Sequence, residues 1–309
     1  MEQLQKLLPG EDLFGLVGRS YVMSSFRDFS AMRQEWQLTH YRHLPGVFIS
    51  RDFEKLIEVL KLAPSDVHAK HTCFNMLNSS ISQDELEHHR SLSKNVIFNI
   101  KSSELAQPWR WCTECVNEDI ESYGIPYYHR DHQVPGVKHC SKHKCVLVSK
   151  CNTCGYEIGQ LRQQSIPPLD GHCMKCGSEF DSDTRLTSPS MPAVESLCLE
   201  MAYGRLNISQ QQLALRVQYY LGIRQDDIEL DVARASIRAF YRDVIDFYGA
   251  DELRVHLHTV KELKQGLKCP AFKGARVYDQ YSTGLPLHPV AIAVIWHFLD
   301  EMLGNTMAA

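Results

Sequence analysis

The chain has 309 residues, of which 44% are apolar and 23% charged, and a formal charge of -4, the make-up of a water-facing globular protein and not of a disordered or collagen-like one. Its longest apolar stretch, Pro289 to Ile295, falls well short of the ~20 residues a membrane helix needs, and Met1 to Gly10 lacks the basic start and apolar middle of a secretory leader. A reducing cytosol is the expected compartment.

Taken in chain order, residues 1 to about 100 read as short helices: Glu11 to Ser25, Phe29 to Gln37, Arg51 to Leu62 and Ser65 to Leu77, with breaks such as His43-Leu-Pro-Gly46. In the third, Phe53, Leu56, Ile57 and Leu60 recur at intervals of three and four, the stripe of an amphipathic helix. From about 101 to 180 the periodicity gives way to Cys, His, Gly, Pro and Tyr, so a metal must stand in for a missing core. The polar, Pro-rich string Ser182 to Pro192 reads as a linker. Beyond it, Ser209 is a good N-cap for a helix over Gln210 to Leu221, with Leu213, Val217, Tyr220 and Leu221 on one side and Gly222 as terminator. A second helix is expected over about Asp231 to Tyr248, ended by Gly249. Helix, glycine turn and helix suit a helix-turn-helix, but any helical hairpin uses the same signals.

Eight of the eleven cysteines fall between residues 112 and 176. An odd count in a reducing compartment is no disulfide framework, so metal ligation is the better reading. Cys112-Thr-Glu-Cys115 and Cys140-Ser-Lys-His143, with 24 residues between them, supply three thiolates and an imidazole. Cys151-Asn-Thr-Cys154-Gly155 and Cys173-Met-Lys-Cys176-Gly177, 18 residues apart, supply four thiolates in the manner of a zinc ribbon. The glycine after each second pair member permits the turn that aims backbone amides at the sulfurs.

His129, His132, His139 and Cys145 are alternative donors near the first site, but only His143 completes a pair at the same gap as Cys112 and Cys115. Four soft ligands close a zinc shell, whereas a catalytic zinc keeps a position open, so both sites are expected to be structural. Metalloprotease, zinc-deaminase, phosphate-loop, dinucleotide-binding and nucleophile-elbow signatures are all absent. No catalytic residues are assigned and no enzymatic activity is expected. Cys73, Cys198 and Cys269, isolated in helical segments, read as small buried hydrophobes.

With two zinc ions bound by seven thiolates the charge of -4 becomes about -7, the wrong sign for indiscriminate nucleic-acid binding. Contact with DNA must then be local. Between Tyr128 and Lys150 the basic residues Arg130, Lys138, Lys142, Lys144 and Lys150 face a single acid, Asp131. Arg130, Lys138, Lys142 and Lys144 are the candidate contacts to nucleic acid or a partner; the plainer reading is a solvated loop drawn to the thiolates.

Several strings resemble one family. Arg110-Trp-Cys-Thr-Glu-Cys115, Glu118-Asp119, Tyr123-Gly124, Tyr127-Tyr-His-Arg-Asp-His-Gln-Val-Pro-Gly136 and Cys140-Ser-Lys-His143 look like the signature of the TniQ/TnsD family of transposon target-site selection proteins. Leu8-Pro-Gly-Glu-Asp-Leu-Phe-Gly-Leu-Val-Gly-Arg-Ser20 resembles its opening helix, Leu44-Pro45 and His71-Thr72 the segment before the zinc module, and Phe247-Tyr-Gly249 and Leu287-His-Pro289 the segment after it. The resemblance implies a non-enzymatic, bacterial, cytoplasmic adaptor. Such a protein recognises target DNA directly or through a CRISPR RNA-guided effector complex, and recruits an AAA+ transposition ATPase and through it the transposase; a homodimer is compatible with this.

The expected fold is mainly α with small zinc-ribbon β elements. It comprises an N-terminal helical, helix-turn-helix-like domain (1–100), a central module with two zinc sites (101–185) and a C-terminal helical domain (186–309). Longer TnsD-type members carry further DNA-binding helical domains, and this chain stops before them. The alternative function is a zinc-ribbon and helix-turn-helix transcription regulator.

Overall fold

The computed structural model describes residues 5–38, 51–78, 108–180, 190–222, 230–257 and 289–304. Outside them lie the His43–Gly46 connector, Cys269, Leu287-His288, most of the linker and both expected domain boundaries. The described residues form twelve helices and no extended strand; pairing is confined to five isolated antiparallel bridges, among them Trp111 with Val148 and His139 with Val146. The chain is thus mainly helical, and what a ribbon would supply as strands is reduced to single bridges.

Two compact units form. The first joins Met1–Asn75 to Ala106–Arg185, and the second joins Met76–Leu105 to Leu186–Ala309. The N-terminal helices and the cysteine-rich segment thus fall in the same unit. The reason is a shared core: Leu13, Phe14, Val17, Met32 and Trp36 from the N-terminal helices pack in one cluster with Trp109, Trp111, Tyr128, Ile158, Leu161 and Phe180 from the cysteine-rich segment. Short helices with narrow apolar stripes bury little against one another, and the cysteine-rich loops lack a core of their own, so each completes the other.

Helix α1 (Leu13–Val22) shows how the opening string is used. Asp12 caps it, accepting from the amides of Phe14 (2.9 Å) and Gly15 (3.2 Å). Glu11, fully buried, forms a two-pronged pair with Arg19 (2.6 and 2.8 Å) and accepts from the Leu8 amide. Gly18 is obligatory, since a Cβ there would lie 2.1 Å from the Ser165 carbonyl oxygen. Backbone bonds from Asp12 N–H to Tyr128 O (2.8 Å) and from Arg130 N–H to Gly10 O (2.7 Å) lash the helix start to the Tyr127–Arg130 string.

Helices α2 (Phe29–Glu35) and α3 (Arg51–Leu60) follow, with Leu56 and Ile57 of the expected stripe buried. The helix expected over 65–77 is instead two, α4 (Pro64–His71) and α5 (Phe74–Asn78). Thr72 interrupts them: its backbone is extended, its hydroxyl donates to His68 O (3.0 Å) and accepts from the Phe74 amide (3.2 Å). Such side-chain bonds compete with the helical ladder. Helices α6 (Thr113–Tyr123) and α7 (Arg130–Gln133) carry the first metal cluster, and Gly124 in the left-handed region (φ 75°) ends α6.

The second unit contains α8 (Met191–Ala202), α9 (Gln210–Leu221), α10 (Leu230–Tyr248), α11 (Ala250–Leu257) and α12 (Pro289–Leu303). Ser209 and Gln212 form a capping box at the start of α9, and Gly222 (φ 64°) closes it. Helix α12 is the hub, with Val290 to Ile295, Phe298 and Leu299 all buried. Phe240 of α10 and Tyr220 of α9 meet Phe298 edge-on at 5.6 and 5.5 Å. Arg216 bonds Asp300 (2.6 Å) and lies over the Trp296 ring, while buried Glu195 and His256 pair α8 with α11 at 3.3 Å.

Candidate metal centres

Local backbone geometry builds the first cluster. Cys112 is the N-cap of α6 and Cys115 lies in its first turn, which puts both sulfurs at the helix N-terminus, where partial positive charge favours thiolate. Trp111, bonded in both directions to Val148 (3.1 and 2.8 Å), fixes the approach to the helix. Arg110, buried, donates to the carbonyls of Val134 and Val137 and so holds the loop that leads to Cys140.

The opposite wall of the cluster is a turn in which Cys140 N–H donates to Cys145 O and Lys144 N–H to Cys140 O, each at 2.9 Å, with Lys144 in the left-handed region (φ 60°). The second cluster repeats this turn twice. Cys151 N–H bonds Tyr156 O and Gly155 N–H bonds Cys151 O, both at 2.8 Å, while Cys173 and Gly177 do the same with Ser178 and Cys173 at 2.8 and 2.7 Å. Gly155 (φ 67°) and Gly177 (φ 72°) occupy the position that Lys144 fills in the first turn. Three loops of one design therefore face two ligand sets.

The ligating atoms of Cys112, Cys115, Cys140 and His143 lie within 4.8 Å of one another, and so do those of Cys151, Cys154, Cys173 and Cys176. Bonds of 2.3 Å to sulfur and 2.0–2.1 Å to nitrogen at tetrahedral angles require edges of about 3.7 Å between sulfurs and about 3.5 Å between sulfur and nitrogen. The Cys115–Cys140, Cys151–Cys176 and Cys154–Cys173 sulfur pairs stand 3.7, 3.6 and 3.7 Å apart. His143 Nδ1 lies 3.3 Å from Cys112 and Cys115 and 3.7 Å from Cys140. Both donor sets suit zinc.

Electrostatics point the same way. Hydrogen bonds from Cys112 and Cys115 hold the Cys140 thiol far below its ordinary range, while Cys115, facing the Cys112 and Cys140 sulfurs, is pushed far above it. In the second cluster hydrogen bonds from Ser178 bring Cys176 down to about 6, and desolvation pushes Cys154 up to about 12. Crowded thiols cannot all ionise together without a cation among them. Cys73 and Cys198 are buried outside both clusters, where burial above all pushes their thiols up.

Glu118 supplies an outer support that spacing does not reveal. Its Oε1 lies 3.2 Å from His143 Nε2, which fixes the ring so that Nδ1 faces the sulfurs, and its Oε2 takes the Lys142 ammonium. Lys142 first and His143 second hold the Glu118 carboxyl below the usual carboxylate range. The alternative donors divide. His129 is bonded to Asp119 (2.9 Å) and stacked on Tyr127, and His139 pairs its backbone with Val146. His132 Nε2 lies 3.9 Å from Cys115 Sγ and Cys145 Sγ 3.3 Å from Cys112 Sγ.

Of the expected contact residues, Arg130 is corrected. It is fully buried, and its guanidinium donates to Thr72 O (3.0 Å), Ala69 O (2.7 Å) and Asp131 (2.8 Å), so it ties α4 to α7 and presents nothing to a partner. A long cation beside a carbonyl-ended helix is drawn inward by those acceptors, which local sequence does not disclose. Lys138 is half-buried, whereas Lys142 and Lys144 are exposed. Beside the first cluster a cleft of about 540 Å³ is lined by Glu118, Asp119, Glu121 and Asp131 together with Tyr123 and Lys142. That balance disfavours phosphate.

Fold and site together define a helical protein with two four-donor centres. Residues 4–147, a little under half of the chain, match the family model described as TniQ; the match runs from the opening helix through the first cluster. The family is one of non-catalytic transposition adaptors, and the domain supports a transposon-associated role in target-site selection. No curated protein matches the chain. Among the described residues no helix is long and apolar enough to cross a membrane.

Proposed function

We propose that this protein is a zinc-clamped target-site selector that catalyses no reaction and recruits an AAA+ transposition ATPase to DNA chosen directly or by a CRISPR RNA-guided complex. The observation that carries the reading is the TniQ match over residues 4–147. The domain organisation supports it: the opening helix, the α4–α5 turn and the Tyr127–Arg130 string are tied into one unit, a rigid platform of the kind an assembly factor needs. Zinc serves as scaffold at Cys112, Cys115, Cys140 and His143 and at Cys151, Cys154, Cys173 and Cys176, because eight protein donors leave neither ion an open position.

With Arg130 withdrawn, Lys138, Lys142 and Lys144 are the proposed partner contacts. The chain's negative charge and the acidic cleft favour docking on proteins over indiscriminate contact with DNA. The test is association of the purified protein with an AAA+ transposition ATPase, with and without nucleotide and DNA. Saturable binding that weakens in a Lys142→Ala, Lys144→Ala double variant is the expected result. Absence of association under every condition contradicts it.

A further inference from the structure

A row of aromatic rings lines the acidic cleft of about 540 Å³. The C-terminal half of α6 supplies Tyr123, and the string that follows supplies Tyr127, His129 and His132. Each ring touches the next: Tyr123 meets Tyr127 edge-on at 5.9 Å, Tyr127 stacks on His129 at 4.3 Å, and His129 leans on His132 at 4.9 Å. The row starts at exposed Tyr123 (45%) and ends at buried His132 (3%). A cleft of this size admits a long side chain together with the backbone that carries it.

Two acceptors in the lining have no partner. His132 Nδ1 is buried and makes no hydrogen bond. With the ring hydrogen on Nε2, turned to the Cys115 sulfur 3.9 Å away, Nδ1 carries a lone pair. Asp119, its side chain only 5% exposed, has both of its bonds on Oδ2, one from His129 Nε2 (2.9 Å) and one from the Tyr127 amide (3.5 Å). Its Oδ1 is left to accept. Buried polar atoms are seldom left unmatched, so the pair points to a ligand that donates hydrogen bonds.

The lining also sets the sign of that ligand. Glu118, Asp119, Glu121 and Asp131 bring four carboxylates against one ammonium, Lys142, which Glu118 already holds. A cation is drawn in and an anion repelled. Of the two cationic side chains arginine suits the site. Its planar guanidinium lies flat on aromatic rings while its five N–H donors reach several acceptors at once, whereas an ammonium is a compact, strongly hydrated charge without a flat face.

We propose that this cleft is an arginine pocket: an arginyl side chain of a protein partner lies along the Tyr123, Tyr127 and His129 rings and donates to Asp119 Oδ1 and His132 Nδ1. The carboxylates repel the carboxylate of a free amino acid, so the arginine belongs to a chain segment. Lys142 and Lys144, exposed on the adjoining turn, meet acids of the same partner, and charges of opposite sign side by side fix its register. The inference rests on the recruitment role for the occupant being a protein, and deepens it by stating what that protein must present.

The test titrates a blocked glycine-arginine-glycine peptide into the purified full chain and follows the amide NMR spectrum. Saturable binding that moves the signals of Tyr123, Tyr127, His129 and His132 is expected, with weaker binding of the matching lysine peptide. The citrulline peptide, which keeps the shape and loses the charge, is expected not to bind. Glu121 and Tyr123 are exposed, so Glu121→Gln combined with Tyr123→Ala leaves the core intact; it should weaken the arginine peptide about tenfold.

No binding of the arginine peptide, equal binding of the lysine or citrulline peptide, or an unchanged affinity in the double variant overturns the inference. A chain that binds the arginine peptide yet never associates with the ATPase upholds the pocket and speaks against the recruitment role, so the two readings fail separately.

Discussion

Arg130 shows how far one residue's surroundings decide its role. Its charge and its place in a basic stretch predict a surface contact, yet the guanidinium is buried and ends on two backbone carbonyls and Asp131. Removing it strands those acceptors, each at a cost of about 1–3 kcal/mol. Arg130→Ala is expected to lower the denaturant midpoint of the first unit by about 3 kcal/mol equivalent, whereas Lys142→Ala, on an exposed pair, leaves the midpoint unchanged. Equal midpoints for both variants contradict the assignment. Gly18 is fixed by contact: a methyl group there meets the Ser165 carbonyl, a backbone atom with little freedom to yield. Gly18→Ala should destabilise by roughly 2 kcal/mol in equilibrium unfolding, and a neutral substitution shows that α1 does not lie against that loop.

At the scale of elements, the α4–α5 break and the three metal-facing turns carry the organisation. His71 ends α4 and donates its Nδ1 hydrogen to Glu11 O at 2.7 Å. Desolvation holds its pKa below the ordinary 6.5, so the unfolded chain takes up the proton more readily than the folded one. The neutral ring's contribution is therefore complete above about pH 6.5 and is lost as pH falls below it. Melting temperatures measured from pH 7.5 down to 5.5 should fall further for the native chain than for His71→Gln, and parallel curves contradict the link.

The cysteine pairs were legible because a two-residue gap is a local geometric necessity of a turn around an ion. So were the Ser209 cap and the Gly222 and Gly249 terminators, which are local too. Thr72 was not, because its hydroxyl bonds only display themselves once the helix is seen to stop. Arg130 and Glu118 were not either, since apart from Asp131 their partners lie 24 to 61 residues away.

For the molecule as a whole, the N-terminal helices and the cysteine-rich loops share one compact unit because neither buries enough apolar surface alone. Trp109, Trp111 and Tyr128 close the core that Leu13, Phe14 and Trp36 open. The TniQ match was legible in the same strings that make these joints, Leu8–Ser20 and Arg110–His143, which are architectural residues first. The function proposed for that platform depends on metal ions worth about 10–16 kcal/mol each in small zinc-finger peptides, as much as the whole stability of many domains.

Native mass spectrometry of the purified full chain, with elemental analysis, tests this dependence most directly. The account predicts two zinc ions per chain, one for each four-donor cluster, and loss of one of them in Cys173→Ser. A well-folded chain without metal, or Cys173→Ser with its zinc content and circular dichroism unchanged, contradicts it.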